Sequence, residues 1–126
     1  MKRVRFDMEF IFKASPAMLY QFVTTPSCLI RWFCDQVDIT GSSYNFSWDG
    51  ADENATLIED EADSRLRFQW DENENDEEYF EFRFSKSPIT NETILEITDF
   101  ADEDEMEDQK ALWEEQVHQL KVEIGG

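Results

Sequence analysis

A regular alternation of apolar and charged residues marks the N-terminal stretch. The apolar positions are Val4, Phe6, Met8, Phe10 and Phe12. Side chains on a strand point alternately to its two faces, so this pattern, sustained over about ten residues, predicts a strand with one buried face and one solvated face.

Six later segments carry a similar, shorter pattern and are predicted to be strands. They are 37–39, 44–48, 55–59, 65–70, 80–85 and 93–100. Asp49-Gly50 lies between two of them and is a strong hairpin signal. Opposite charges on the outward faces of neighbouring strands are expected to pair across the sheet.

Two short helices are predicted between the first strand and the second. Ser15-Pro16 and Thr25-Pro26 each place a hydroxyl that can cap a helix before a proline at the first helical position. Apolar residues follow in both segments, so both helices are expected to pack on the sheet or on another helix.

A long helix is predicted over residues 102–124. Its apolar stripe is formed by Met106, Trp113, Val117, Leu120 and Ile124, which recur at helical spacing. Six acidic residues between 102 and 108 are expected to cap its start, and the glycines at 125 and 126 to end it.

The order of these elements predicts an α+β fold in one domain, 1–126. A curved antiparallel sheet of about six or seven strands would grip the long C-terminal helix, with the two short helices following the first strand.

The composition of the chain disfavours some classes of binding partner. Thirty acidic and 11 basic residues give a formal net charge of −19, which disfavours binding to nucleic acid or to anionic membranes. No apolar run is long enough to insert in a membrane. Cys28 and Cys34 are expected to be free thiols, so we expect a cytoplasmic protein.

In its order of elements and in several apolar and turn residues, the chain resembles the START-like (helix-grip, birch-pollen-allergen-type) superfamily. Within it, the nearest branch is the small bacterial domains similar to activators of a heat-shock chaperone's ATPase. The resemblance rests on Ser15-Pro16, Leu19, Phe22, Pro26, Leu29, Trp32-Phe33, the strand 66–70, Trp113, Val117 and Leu120. It implies a cavity between sheet and long helix that holds an apolar, lipid-like molecule, and some relatives bind the chaperone.

The candidate pocket that follows would place the helix stripe opposite the inward face of the sheet, with two glutamines as polar contacts. Its residues are Phe46, Phe68, Phe82, Gln109, Trp113, Gln116, Val117 and Leu120. The alternative is that these side chains interlock without a void and that the domain is a protein-interaction or regulatory module. Such a module would use an exposed apolar patch or an edge strand, and an edge strand would also allow a homodimer.

No catalytic, cofactor or metal site is expected. His118 is the only histidine and lies behind the apolar stripe, so it is expected to be exposed. Asp71, Asn73 and Asn75 imitate the start of a calcium loop, but Asp76 occupies the position where that loop needs glycine. The chain is therefore predicted not to be an enzyme.

Overall fold

Seven strands and a long C-terminal helix make up most of the structure, a computed structural model that describes residues 2–73 and 77–125. The chain runs in the order β1 (Arg3–Phe12), α1 (Pro16–Thr24), α2 (Pro26–Leu29), β2 (Gln36–Thr40), β3 (Ser43–Trp48), β4 (Ala51–Glu61), β5 (Arg65–Trp70), β6 (Phe80–Lys86), β7 (Thr93–Asp102), a 3-10 turn (Glu103–Glu105) and α3 (Met106–Ile124). The predicted α+β architecture is confirmed.

The strands form a single antiparallel sheet in the order β1-β7-β6-β5-β4-β3-β2. Consecutive strands from β2 to β7 are neighbours, and β1 pairs with β7 along its whole length, from Arg3 opposite Asp102 to Phe12 opposite Thr93. Strands β1 and β2 are therefore the two edges of the sheet.

Strand β4 is longer than the pattern of apolar residues predicts. Its first four residues, 51–54, are all exposed and carry no apolar alternation. They are strand because they pair with β3 across the turn at Asp49 and Gly50, both of which have positive φ. Hydrogen bonding across the hairpin, rather than burial, extends this strand.

The two short helices share one residue at their junction. Ser15 caps α1 as predicted, since its Oγ accepts a hydrogen bond from the Met18 N–H at 3.2 Å. Thr25 makes no side-chain cap, so that prediction is wrong. Its backbone serves both helices instead: its N–H donates to the Gln21 carbonyl and its carbonyl accepts from the Leu29 N–H.

The long helix begins later than predicted because β7 continues to Asp102 and a 3-10 turn follows it. No side chain caps the start of α3, so the predicted capping by the acidic run is wrong. Glu107 and Asp108 nevertheless lie in the first turn, where they offset the helix dipole. Gly125 ends the helix as predicted, with φ 86° and its N–H donating to the Lys121 carbonyl. Gly126, the other glycine of that prediction, lies outside the described residues.

The middle of the apolar stripe of α3 is buried against the sheet, and its two ends, Met106 and Ile124, are half-buried. Trp113, Val117 and Leu120 are its buried residues, and the Trp113 ring lies 5.7 Å from that of Phe82 on β6. Leu19 and Phe22 of α1 are buried in the same core. One continuous core therefore joins the sheet, the short helices and α3.

The opposite face of the sheet carries a charged cluster. The Glu81 carboxylate lies 2.9 Å from Arg67 and 3.8 Å from both Arg65 and Arg83. Arg83 also pairs with Glu96 at 2.9 Å. The predicted pairing of charges across strands is confirmed, and the arginines cover Glu81 so closely that it is only 2% exposed.

Candidate ligand-binding cleft

A cleft of about 850 Å³ lies between α3 and the segment 30–35 that follows α2. The helix provides one wall, through Gln109, Leu112, Trp113 and Gln116 among others, and the segment provides the other. The floor is formed by side chains of β3, β4, β5, β6 and β7. The cleft therefore lies beside the long helix, at the side where the segment 30–35 approaches it.

Aromatic rings dominate the floor. Trp48 and Trp70 are half-buried, and their ring centroids are 6.3 Å apart. Phe80 lies beneath Trp70 at 4.8 Å. All three residues occupy inward-facing positions of their strands. Phe80 is buried in the core, whereas Trp48 and Trp70 are half-buried and leave indole surface open to the cleft.

The backbone of Phe33 holds the wall of the cleft in place. Its carbonyl accepts hydrogen bonds from Trp48 Nε1 at 2.6 Å and from Gln116 Nε2 at 3.1 Å. Its ring stacks on that of Trp113, with centroids 6.0 Å apart and an angle of 26° between the planes. The segment 30–35 is thus tied to both β3 and α3.

A buried carboxylate, Asp99 on β7, lines the same cleft and is only 8% exposed. Its Oδ2 accepts hydrogen bonds from Trp113 Nε1 at 2.9 Å and Gln109 Nε2 at 3.2 Å, and its Oδ1 accepts one from the Phe100 N–H. Burial raises the pKa of Asp99, and the hydrogen bond from Trp113 is the largest influence in the opposite direction. The sequence pattern could have indicated that Asp99 is buried, since Asp99 shares the inward face of β7 with Leu95 and Ile97.

The residues of the predicted pocket fall into two groups. Gln109, Trp113 and Gln116 line the cleft, and both glutamine amides donate hydrogen bonds within the protein. The other predicted residues are fully buried in the core and are not part of the cleft lining: Phe46, Phe68, Phe82, Val117 and Leu120. Contact of any of these residues with a ligand stays a prediction.

The rim of the cleft is apolar in part and acidic in part. Ile30 and Leu112, on opposite walls, are 49% and 48% exposed. Exposed carboxylates of Asp35, Glu53 and Glu115 also face the opening. The cleft therefore combines exposed apolar surface with three exposed carboxylates.

Across 2–73 and 77–125, no cluster of three or more His, Cys, Asp or Glu is arranged to hold a metal ion. His118 is exposed, as predicted, and lies at the rim of the cleft. Asn75 and Asp76, from the stretch that imitates a calcium loop, lie outside the described residues. Over the same ranges, no helix has both the length and the apolar content to cross a bilayer.

The two cysteines are free thiols in different environments, and this leads to a testable difference. Cys34 is buried in the wall of the cleft, and burial raises its pKa to about 12, whereas Cys28 is half-buried. Because the thiolate is the reactive form, we expect Ellman's reagent at neutral pH to modify Cys28 while the protein is folded and Cys34 only after denaturant is added. The variant Cys28→Ser should show no fast reaction. Equally fast modification of both thiols in the folded protein would contradict this environment for Cys34.

Solved structures similar to this chain come from several bacteria. A protein of Bacteroides fragilis is 33% identical, with a TM-score of 0.70, over 97% of this chain and 91% of that one. The Aha1 dimer of Colwellia psychrerythraea is 20% identical, with a TM-score of 0.81, over 94% and 93%. An AHSA1-like protein of Aeromonas hydrophila is also 20% identical, with a TM-score of 0.73, over 94% and 90%.

The family of the chain is shown by a comparison with models of protein families. No curated protein is similar enough in sequence to match the chain. The family model of the START-like superfamily domain matches residues 1–126, which agrees with the sheet, the short helices and the long helix described above. The chain therefore belongs to the START-like superfamily.

Proposed function

We propose that this domain binds a small apolar molecule in the cleft between α3 and the segment 30–35, and that it does so without catalysing a reaction. The observation that carries the proposal is the cleft itself, with half-buried indole rings of Trp48 and Trp70 on its floor. Its volume of about 850 Å³ lies within the range of small-molecule sites. Domains of this superfamily commonly bind hydrophobic ligands.

The physical reason for binding is the exposed apolar surface of the cleft. Water in contact with two indole faces and with Ile30 and Leu112 is released when an apolar molecule covers them, and this release favours association. The core between α3 and the sheet leaves less room for a ligand, because Phe82 and Trp113 contact each other directly there. A lipid-like or other apolar ligand is therefore expected beside the helix stripe rather than beneath it.

Native mass spectrometry tests the proposal. Protein purified under mild conditions is expected to carry a small-molecule adduct that is lost on denaturation. The variant Gln119→Trp places a bulky ring at the cleft and should abolish the adduct, because Gln119 is part of the lining.

Val122→Trp is the matched control, since Val122 lies on the same helix, is 61% exposed and is not part of the lining. It should retain the adduct. A wild-type protein without an adduct, or an adduct that survives Gln119→Trp, would contradict binding in this cleft.

Self-association is a separate question. Strands β1 and β2 are the edges of the sheet, and edges can pair with a second copy of a chain. The Colwellia psychrerythraea protein is described as a dimer. A homodimer of this chain stays a prediction, as do a protein partner and a cytoplasmic location. Sedimentation equilibrium would distinguish a 15.0 kDa monomer from a species of twice that mass.

A further inference from the structure

We infer that the cleft selects an organic cation with a flat apolar ring, of the arylalkylamine class, over neutral or anionic molecules of the same shape. This inference rests on the proposed function, because it names the chemistry of the molecule that would occupy the same cleft. Three features of the cleft support it.

The first feature is the sign of the charge around the cleft. Among the described residues, the lining contains the carboxylates of Asp35, Glu53, Asp99 and Glu115 and a single lysine or arginine, Arg31. The formal net charge of −19 adds a negative field around the whole protein. An anionic ligand would approach against this field, and a cationic ligand would be attracted by it.

The second feature is that two of these carboxylates are available. Asp99 accepts hydrogen bonds from Trp113 and Gln109, and Asp35 accepts one from the Asp49 N–H at 2.7 Å. Glu53 on β4 and Glu115 on α3 are exposed, and no ion pair to either is found in the described part of the chain. Glu53 lines the cleft from the sheet and Glu115 lines it from the helix, so an ammonium group in the cleft would have a carboxylate on each of these two sides.

The third feature is the aromatic floor. The rings of Trp48 and Trp70 offer apolar contact to a flat ring, and the face of an indole also attracts a cation. A molecule that joins an aromatic ring to an ammonium group uses both the floor and the rim of the cleft. A fatty acid would cover the floor but would place its carboxylate among carboxylates.

A series of three probes that share one ring system tests this selectivity. Tryptamine is cationic, tryptophol is neutral and indole-3-acetate is anionic, and calorimetric titration measures the affinity of each. Tryptamine is expected to bind about tenfold more tightly than tryptophol, with indole-3-acetate the weakest, because two carboxylates near an ammonium group contribute a difference of this order. The preference for tryptamine should decrease as salt is added.

The double variant Glu53→Gln/Glu115→Gln separates charge from shape. It should remove most of the preference for tryptamine and leave the affinity for tryptophol unchanged. Asp63→Asn is the control, because it removes a carboxylate that lies away from the cleft. Asp63 is exposed in the turn between β4 and β5, at the far end of the hairpin from Glu53. It has positive φ, which asparagine tolerates. It should preserve the preference.

The outcomes distinguish the inference from the proposed function. Equal affinity for tryptamine and tryptophol, or a preference that survives the double variant, would overturn the selectivity for cations but leave an apolar cleft. Tighter binding of indole-3-acetate would also overturn it. Absence of binding by all three probes would overturn both the selectivity and the cleft as a site for aromatic molecules.

Discussion

Replacement of Trp113 by alanine is expected to lower the free energy of unfolding by about 3–5 kcal/mol, the range found when a large aromatic side chain is removed from a core. Trp113 is 4% exposed and its ring contacts those of Phe33, Phe80 and Phe82. The substitution removes these contacts and leaves the Asp99 carboxylate without the hydrogen bond from the indole. Denaturation by urea, followed by circular dichroism, measures the loss.

Leu112→Ala provides the control for this prediction. Leu112 precedes Trp113 on the same helix but is half exposed, so its truncation should change stability by less than about 1 kcal/mol. If Trp113→Ala were no more destabilising than Leu112→Ala, α3 would not be anchored to the sheet through this indole.

Glu81→Leu is the second substitution with a large expected effect, a loss of about 3 kcal/mol in the free energy of unfolding. Glu81 is the acidic residue on which Arg65, Arg67 and Arg83 converge. Arg65 and Arg83 are directly opposite each other on β5 and β6. Without the carboxylate, the arginines lose the partner that they share. Arg65 keeps Glu59 at 2.9 Å and Arg83 keeps Glu96 at 2.9 Å, but less negative charge remains between the two guanidinium groups, and like charges directly opposite each other are destabilising.

The size of this effect is expected to depend on salt, because the three arginines are partly exposed and their repulsion is screened by ions. Urea denaturation at low and at high sodium chloride should therefore show a smaller loss at high salt. Glu96→Leu is the matched control: Glu96 is also on this face but pairs with Arg83 at the surface, so its replacement should cost less than about 1 kcal/mol. Equal losses for the two variants would contradict a structural role for the buried carboxylate.

The fold could be predicted from the sequence because its elements are marked by periodicity. Phe6 and Phe12 on β1, and Trp113, Val117 and Leu120 on α3, are buried at the positions where periods of two and 3.6 place them. Elements that depend on backbone hydrogen bonds were less visible. The exposed start of β4 and the junction of the short helices at Thr25 follow from backbone pairing, for which side-chain patterns carry little information.

The cleft was predicted only in part, for a related reason. The helical period placed Gln109, Trp113 and Gln116 on one side of α3, and all three line the cleft, while their contact with a ligand stays a prediction. The same reasoning placed Phe46, Phe68 and Phe82 opposite them, but these rings fill the core. The path of the segment 30–35 creates the cleft, and that path depends on hydrogen bonds to the Phe33 carbonyl, which no periodicity predicts.

The central claim is that ligand lies between α3 and the segment 30–35, and NMR spectra of ¹⁵N-labelled protein during titration with tryptamine test it most directly. The indole N–H signals of Trp48 and Trp113 are expected to shift, since both residues line the cleft. The backbone amides of Arg67 and Arg83, on strands whose charged face points away from α3, should stay in place. Unchanged indole signals, or shifts concentrated on the charged face, would contradict the claim.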